Sequence, residues 1–310
     1  MRGRDWGLLV LLSLLWGGAF FFYKVLDEAG LPPLSIVLGR VGIATLAILP
    51  VLRLSRLSLP ARLGDWVPFA VLGITNNIVP FVLIAWGETQ IASGLASILN
   101  AMTPIFTAIV AHYAAADERF SANKIAGIAL SFAGMIVLVG ADVARGLNLT
   151  SLAQLACLGA TVSYSFGIVY GKRLRATPPL TIATGQLIAS TILVLPLELA
   201  IDKPWTIAPP ALPAWLALAA MAVLGTSAAY VVYFSILKTS GAVNASLVTL
   251  LVPVVALILG GVFLHEHLQW TMLAGMLLIS IGLLVLDGRV VRAMNVRPFG
   301  TTRSERQTVR

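Results

Sequence analysis

Amide and aromatic side chains interrupt long apolar stretches throughout this chain, and they are its main candidates for chemistry. Asparagine in hydrocarbon must find hydrogen-bond partners, so these side chains are expected to face the interior of a helix bundle. They could join one helix to another, or they could line a wet cavity and bind a ligand. The aromatic residues could also belong to the belts at the membrane surface. The candidate cavity residues are Trp16, Asn76, Asn77, Trp86, Asn100, Tyr164, Tyr230, Tyr233 and Asn244.

Arg40 is the only basic residue that lies deep within an apolar stretch. A charge inside a membrane is costly and usually has a partner or a water-filled surface beside it. The guanidinium could satisfy helix-end carbonyl groups or an acid, or it could bind the carboxylate of a substrate. Gln186 takes the corresponding place in the second half of the chain, so the two halves are not equivalent here.

The remaining ionisable residues offer little for catalysis or for metal binding. We expect Glu88 and Glu198 near the outer surface, at helix ends, and we find neither a nucleophile beside a base nor paired carboxylates within an apolar stretch. His265 and His267 flank Glu266, but adjacent residues give poor ligand geometry and no fourth ligand is evident. The sequence therefore predicts no enzyme, no metal site and no cofactor.

The composition makes lipid the solvent for most of the chain. Hydrophobic residues make up 58% and charged residues 11% of the 310, and the mean hydropathy is +0.93, whereas soluble domains carry about 25% charge. A helix that crosses a bilayer needs roughly 20 mostly apolar residues. The pattern predicts an all-α membrane protein with ten transmembrane helices, at 6–25, 34–52, 65–86, 90–113, 123–140, 151–171, 180–199, 212–236, 241–263 and 270–287.

The basic residues are distributed very unequally between the two sides of these predicted helices. Lys24, Arg145 and Lys203 lie on one side and Arg40 lies within a helix, while the other 17 of the 21 lysines and arginines lie on the opposite side. Because cytoplasmic loops carry the excess of basic residues, both termini are expected in the cytoplasm of a cell with an inner membrane. The same pattern explains the high pI without any nucleic-acid partner.

The second half of the chain echoes the first at an offset near 148 residues. Pro104, Gly127 and Gly134 in the first half correspond to Pro253, Gly275 and Gly282 in the second. We predict a five-helix repeat at 1–146, a second at 147–288 and a basic, disordered cytoplasmic tail at 289–310. Since five is odd, the second repeat enters the membrane from the opposite face, which predicts inverted repeats with a site near the midplane.

In its ordered set of motifs the chain resembles the drug/metabolite transporter superfamily, in its EamA branch. The motifs are Trp16-Gly17, Pro33-Leu34, Arg40, Ala96-Ser97-Ile98-Leu99, Thr103-Pro104 and Asp117-Glu118-Arg119-Phe120, followed in the second half by Ala245-Ser246-Leu247, Pro253 and Glu266. The resemblance implies a basket-like fold with a central cavity lined by helices 1, 3, 4, 6, 8 and 9. It also implies a bacterial inner-membrane exporter of amino acids and related metabolites.

The expected function is export of a small metabolite by alternating access at the central cavity. The expected substrate is an apolar or aromatic amino acid. A cavity with aromatic rings, amides and few charges suits a ligand with an apolar body and polar ends. The open alternatives are a carrier of drugs or nucleotide sugars and a passive, channel-like facilitator. The expected partners are the small-molecule substrate and the lipid bilayer, and the protein is expected to be a monomer or a weak homodimer.

Two further expectations concern movement and energy. Pro104 and Pro253 lie at equivalent places in helices four and nine, where each could produce a fixed bend or act as a hinge. No carboxylate or histidine is expected at the midplane, so transport should equilibrate the substrate without a steep dependence on a proton gradient.

Overall fold

The computed structural model describes residues 3–114, 121–144, 148–245 and 247–287. Within these ranges the regular structure is helical, without strands, which confirms the all-α prediction for this part of the chain. The helices are α1 (Gly3–Glu28), α2 (Pro33–Leu54), α3 (Leu63–Glu88), α4 (Ser93–Ala114), α5 (Ala122–Ala144), α6 (Leu149–Leu174), α7 (Pro179–Ile201), α8 (212–245), α9 (Val248–Phe263) and α10 (Trp270–Asp287).

Eight helices of the described chain are long and apolar enough to cross a membrane, namely α1 to α8. The helices α9 and α10 are also apolar, but their apolar parts, Val248–Phe263 and Trp270–Leu286, are shorter. A 16-residue helix extends about 24 Å, against about 30 Å for the hydrocarbon core. The described residues therefore support a multi-pass membrane protein.

One predicted boundary is wrong. The polar residues near 237–240 were expected to separate two helices, but α8 continues as Ala229–Ala245 and α9 begins only at Val248. Thr239 shows the physical reason, since its hydroxyl donates to the carbonyl of Ser235 at 3.0 Å within the same helix. A threonine that satisfies its own hydroxyl in this way does not have to end a helix.

Two long helices contain a wider π-helical turn at corresponding places. It covers Ile74–Ile78 in α3 and Val223–Ala228 in α8, at an offset that matches the repeat seen in the sequence. Such turns are rare and frequently occur at functional sites. In α8, Thr226 and Ser227 donate to the carbonyls of Met221 and Ala222, five residues earlier.

Pro104 and Pro253, which correspond in the two halves of the sequence, have different positions within their helical segments. In α4 the regular helix is interrupted at 101–102, and Pro104 follows as the second residue of Thr103–Ala114, where its missing N–H is not needed. Pro253 lies inside the uninterrupted helix α9. The two prolines thus differ in local structure, and a hinge role for either remains a prediction.

The helices α5 and α10 cross in antiparallel orientation through their small residues. A Cβ atom at Gly127 would lie 2.6 Å from the carbonyl oxygen of Gly282, and one at Gly134 would lie 2.8 Å from that of Gly275. Ser131, between these two contacts, donates to the carbonyl of Ile279 at 3.4 Å. These glycines therefore have a packing role, because only glycine allows so close an approach.

The main contacts between the two halves follow the same repeat, in which α1 corresponds to α6, α2 to α7, α3 to α8 and α4 to α9. The helix α1 packs against α8 and α9, and α6 packs against α3 and α4, while α2 lies against α7. Large apolar side chains on the outer faces are exposed, as lipid contact requires. Examples are Leu46, Ile136, Ile192, Leu216 and Ile258.

Candidate substrate site

A network of amide and hydroxyl side chains, here the amide cluster, joins α3, α7 and α8 around the π turn of α3. Asn77 is completely buried; its amide nitrogen donates to Ser190 Oγ at 2.9 Å, and its amide oxygen accepts from the Tyr230 hydroxyl at 3.2 Å. Asn76 donates to the side-chain oxygen of Gln186 at 3.3 Å. The asparagines therefore face the interior, as expected, and each binds a neighbouring helix.

Arg40 is the centre of a second group, the arginine cluster, formed with Tyr23, Phe81 and Thr226. Arg40 is 6% exposed. Its guanidinium donates from Nε to Thr226 Oγ1 at 3.0 Å and from Nη1 to the Tyr23 hydroxyl at 2.7 Å. The central guanidinium carbon, Cζ, lies 3.7 Å from the centre of the Phe81 ring. Within the described ranges no acid forms an ion pair with it. A guanidinium has five N–H donors, so the cluster retains charge and donors for an anion.

The two clusters meet at the π turn of α8 and at the tyrosines beside it. Thr226 lies in this turn, and Tyr230 lies one helical turn further along the same helix. Tyr164 on α6 is close enough to Arg40 and to Tyr230 for electrostatic interaction with both. Six helices, α1, α2, α3, α6, α7 and α8, therefore bring a cation, amides and phenols into one region.

Aromatic rings extend this region along α1 and α8. Trp16 packs against Tyr233 with 5.5 Å between ring centres, and Tyr230 stacks on Phe234 at 6.1 Å. Trp16, Tyr164, Tyr230 and Tyr233 are all half-buried against the core. The predicted aromatic lining is thus brought to the interior of the bundle.

The other predicted site residues stand apart from these contacts. Trp86 is half-buried near the end of α3. Asn100 directly precedes the interruption of α4, and its buried amide oxygen has no hydrogen-bond partner among the described residues. Asn244 belongs to α8, but its side chain lies outside the described part of the chain.

Glu88 and Glu198, which the sequence predicts near the outer face of the membrane, have buried side chains. Glu88 is the last residue of α3 and Glu198 lies near the end of α7. Glu88 is 0% exposed and Glu198 is 3% exposed. Neighbouring helices cover them: Lys24 of α1 donates to the carbonyl of Glu88 at 2.9 Å, and Ser35 of α2 donates to the Glu198 carboxylate at 3.1 Å. The expectation of transport without a steep dependence on a proton gradient stays a prediction.

Sequence reasoning did not single out Tyr23, Phe81 or Ser190. Ser190 follows Gln186 by four residues and so shares its helix face, which was a usable signal. Tyr23 and Phe81 lie on different helices from Arg40, and nothing in their local sequence connects them with it.

A separate cavity lies between the α2–α3 and α6–α7 connections. It has a volume of about 630 Å³ and opens among residues such as Arg56, Asp65, Phe69, Thr177 and Thr181. None of the predicted site residues lines it. It borders the ends of α3 and α7, the helices that carry the amide cluster.

Replacing Asn77 by alanine is expected to reduce transport about tenfold, equivalent to ~1.4 kcal/mol, while the protein still folds. The variant loses its bonds to Ser190 and Tyr230, and hydrogen bonds between membrane helices are worth only about 0.6 kcal/mol on average. The measurement is substrate exchange together with the yield of monodisperse protein. Ser235→Ala, which removes an exposed hydroxyl bonded within its own helix, is the matched control; full transport by Asn77→Ala would contradict the assignment.

Comparison with known proteins identifies the family. The model of the EamA-like transporter family matches residues 6–140 and again 151–286. The chain is 30% identical over 288 residues to a probable terminal-alkyne amino-acid exporter of Streptantibioticus cattleyicolor, with 91% of this chain and 93% of that protein covered. It is 28% identical over 258 residues to the uncharacterized inner membrane transporter YedA of Escherichia coli K12, with 82% and 81% covered.

Further similarity comes from a second relative and from a solved structure. The chain is 22% identical over 280 residues to the uncharacterized transporter YoaV of Bacillus subtilis, with 89% of this chain and 94% of that protein covered. A crystal structure with 18% sequence identity superimposes with a TM-score of 0.64 over 92% of this chain and 98% of the other, which shows a shared fold. The chain therefore belongs to the EamA-like transporter family of the drug/metabolite transporter superfamily and is a multi-pass membrane transporter.

Proposed function

We propose that this transporter exports small amino acids with apolar or aromatic side chains. The observation that carries the proposal is Arg40, a buried guanidinium that binds two hydroxyl groups and, among the described residues, no acid. A buried charge is costly unless it is paired. A substrate carboxylate supplies the missing partner through charge-assisted hydrogen bonds, which a guanidinium forms well.

The aromatic part of the site favours an apolar side chain on the substrate. Trp16, Tyr230 and Tyr233 are half-buried rings beside the arginine and amide clusters. Ligand sites are typically apolar with a few placed polar groups that fix orientation. The name of the similar Streptantibioticus protein, a probable amino-acid exporter, agrees with this substrate class.

The proposed mechanism is alternating access between two inverted five-helix repeats, 1–146 and 147–288, with ten transmembrane helices in all. Three observations support it: the family model matches the chain twice, the π turns of α3 and α8 occur at corresponding places, and α5 and α10 cross antiparallel through corresponding glycines. In such proteins the repeats rock around a site near the midplane, and side chains from both halves form the arginine and amide clusters here.

We propose the inner membrane as the location, with both termini in the cytoplasm and no partner beyond substrate, lipid and at most a weakly bound second copy. The concentration of basic residues on one side supports this orientation. It places the ends of α1, α3, α5, α7 and α9 at the outer face.

Counterflow in proteoliposomes tests the function. Vesicles that contain the purified protein and unlabelled phenylalanine are diluted into labelled phenylalanine, leucine, a cationic dye or a nucleotide sugar. We expect transient accumulation of the labelled amino acids, because a carrier exchanges substrate and a passive channel does not. Exchange of the dye or the nucleotide sugar without exchange of any amino acid would contradict the proposal.

A further inference from the structure

Thr181, near the start of α7, has a buried hydroxyl without a hydrogen-bond partner among the described residues. The residue is 4% exposed. It is the third residue of α7, which begins at Pro179, and the first N–H groups of a helix have no partner within that helix. The start of α7 therefore offers a main-chain N–H and a hydroxyl side by side, and it favours a negative charge.

The corresponding place in the first half of the chain already holds two carboxylates. Ser35, the third residue of α2, donates from its main-chain N–H to Asp202 Oδ2 at 2.8 Å. Its hydroxyl donates to the same atom at 3.2 Å and to Glu198 Oε1 at 3.1 Å. Two acids from the end of α7 thus satisfy the start of α2.

The described part of the chain provides no such acid for the start of α7. At the same offset of 146 residues, Arg56 takes the place of Asp202, and Leu52 takes the place of Glu198. A basic residue in the position of the acid adds a second positive charge beside the helix start. Arginine and helix N-termini both bind phosphate and carboxylate groups, so this end of α7 is suited to an anion from outside the chain.

Thr181 and Arg56 line the same cavity, which has a volume of about 630 Å³. Ligand pockets typically have volumes of about 300–1,000 Å³. Asp65 also lines the cavity, and within the described ranges neither Arg56 nor Asp65 forms an ion pair. Much of the remaining wall is apolar and includes Leu57 and Pro68. The cavity therefore suits a ligand with an anionic group, a cationic group and an apolar part.

Lipid is expected next to this cavity. Leu54 and Leu63, which flank the α2–α3 connection, are 84% and 89% exposed, and large apolar side chains so exposed suit contact with lipid. Trp66 is of the residue type enriched at membrane interfaces, and its indole N–H donates to the carbonyl of Pro60 at 3.1 Å. The connection therefore lies at the level of the lipid headgroups, where phosphate is the abundant anion.

We propose that this cavity binds the headgroup of phosphatidylethanolamine. Thr181 and Arg56 hold the phosphate, Asp65 accepts hydrogen bonds from the ammonium group, and the apolar wall contacts the glycerol and the first part of the acyl chains. The bound lipid joins the α2–α3 connection of the first repeat to the start of α7 in the second. It therefore stabilises the contact between the repeats at one membrane surface.

The test is protection of a thiol placed in the cavity wall. Ser58 is exposed and lines the cavity, whereas the native Cys157 is 0% exposed and should not react. The full-length Ser58→Cys variant is purified in detergent, depleted of lipid and treated with a maleimide. We expect short-chain phosphatidylethanolamine to slow the reaction at least about fivefold, because a bound ligand protects by the factor 1 + [L]/Kd.

Three other ligands and four variants make this result specific. Phosphatidylcholine, whose ammonium has no N–H, should protect less, and inorganic phosphate and phenylalanine should not protect. Adding Thr181→Val or Arg56→Gln to Ser58→Cys should abolish protection, and adding Asp65→Asn should remove the preference over phosphatidylcholine. Arg62→Gln is the matched control, because Arg62 is exposed on the same connection but does not line the cavity; it should keep full protection.

Absence of protection in Ser58→Cys, or protection that persists with both Thr181→Val and Arg56→Gln, would overturn the proposal. Equal protection by inorganic phosphate would assign the cavity to a free anion, and equal protection by phenylalanine would assign it to the transported substrate. Either result contradicts a lipid site. Counterflow measures the proposed function separately, so a failure of one proposal is distinguishable from a failure of the other.

Discussion

Replacing Arg40 by glutamine is expected to lower the apparent affinity for amino acids by roughly 10- to 100-fold, since hydrogen bonds to charged groups contribute about 1.5–3 kcal/mol. The variant removes the positive charge from the arginine cluster and leaves an amide of similar reach. Glutamine is suited to this place, because Gln186 takes the corresponding position in the second half. The affinity is measured from the concentration dependence of counterflow.

Arg53→Gln is the matched control for Arg40→Gln. It lies on the same helix, α2, but is exposed near the end, so transport should be unchanged. If Arg40→Gln folds and transports amino acids with wild-type affinity, the guanidinium has a structural role and the proposed carboxylate contact is wrong.

Replacing Gly134 by leucine is expected to destabilise the protein by about 3 kcal/mol or more, because overpacking a tight contact typically costs about 1–3 kcal/mol. A Cβ atom there would already lie 2.8 Å from the Gly275 carbonyl oxygen and 2.9 Å from the Ile279 nitrogen. Backbone atoms of α10 cannot move aside without separating α5 from α10. The measurement is the thermal aggregation temperature and the yield of monodisperse protein.

Ala133→Leu provides the control for this substitution. Ala133 is the preceding residue on α5 and is exposed, so the added side chain points towards lipid and should leave stability unchanged. Equal stability of Gly134→Leu and Ala133→Leu would show that the α5–α10 contact is looser than the structure indicates.

The elements that repeat regularly along the chain were predictable from the sequence. Apolar length predicts the helices, and the spacing of Gly127, Gly134, Gly275 and Gly282 predicts a close helix crossing, because small residues in membrane helices have few other uses. The interior location of Asn77 was predictable for a similar reason: an amide facing lipid is too costly.

Features that depend on contacts between distant helices were not predictable. Glu88 ends its helix, and a helix end is normally wet, but Lys24 of α1 binds the Glu88 carbonyl and the carboxylate is completely buried. The partners of Arg40 are hydroxyls from α1 and α8, which local sequence cannot reveal. The same holds for α8, which continues past polar residues that bond within their own helix.

The most direct test of the account compares binding of phenylalanine and of phenylalaninamide, which lacks the carboxylate, to the wild type and to Arg40→Gln. Both ligands carry the ammonium group, so the comparison isolates the contact with Arg40 as a double-mutant cycle does. We predict that the wild type binds phenylalanine at least about tenfold more tightly and that Arg40→Gln binds both ligands equally. Equal binding by the wild type, or a preference that persists in Arg40→Gln, would contradict amino-acid recognition at Arg40.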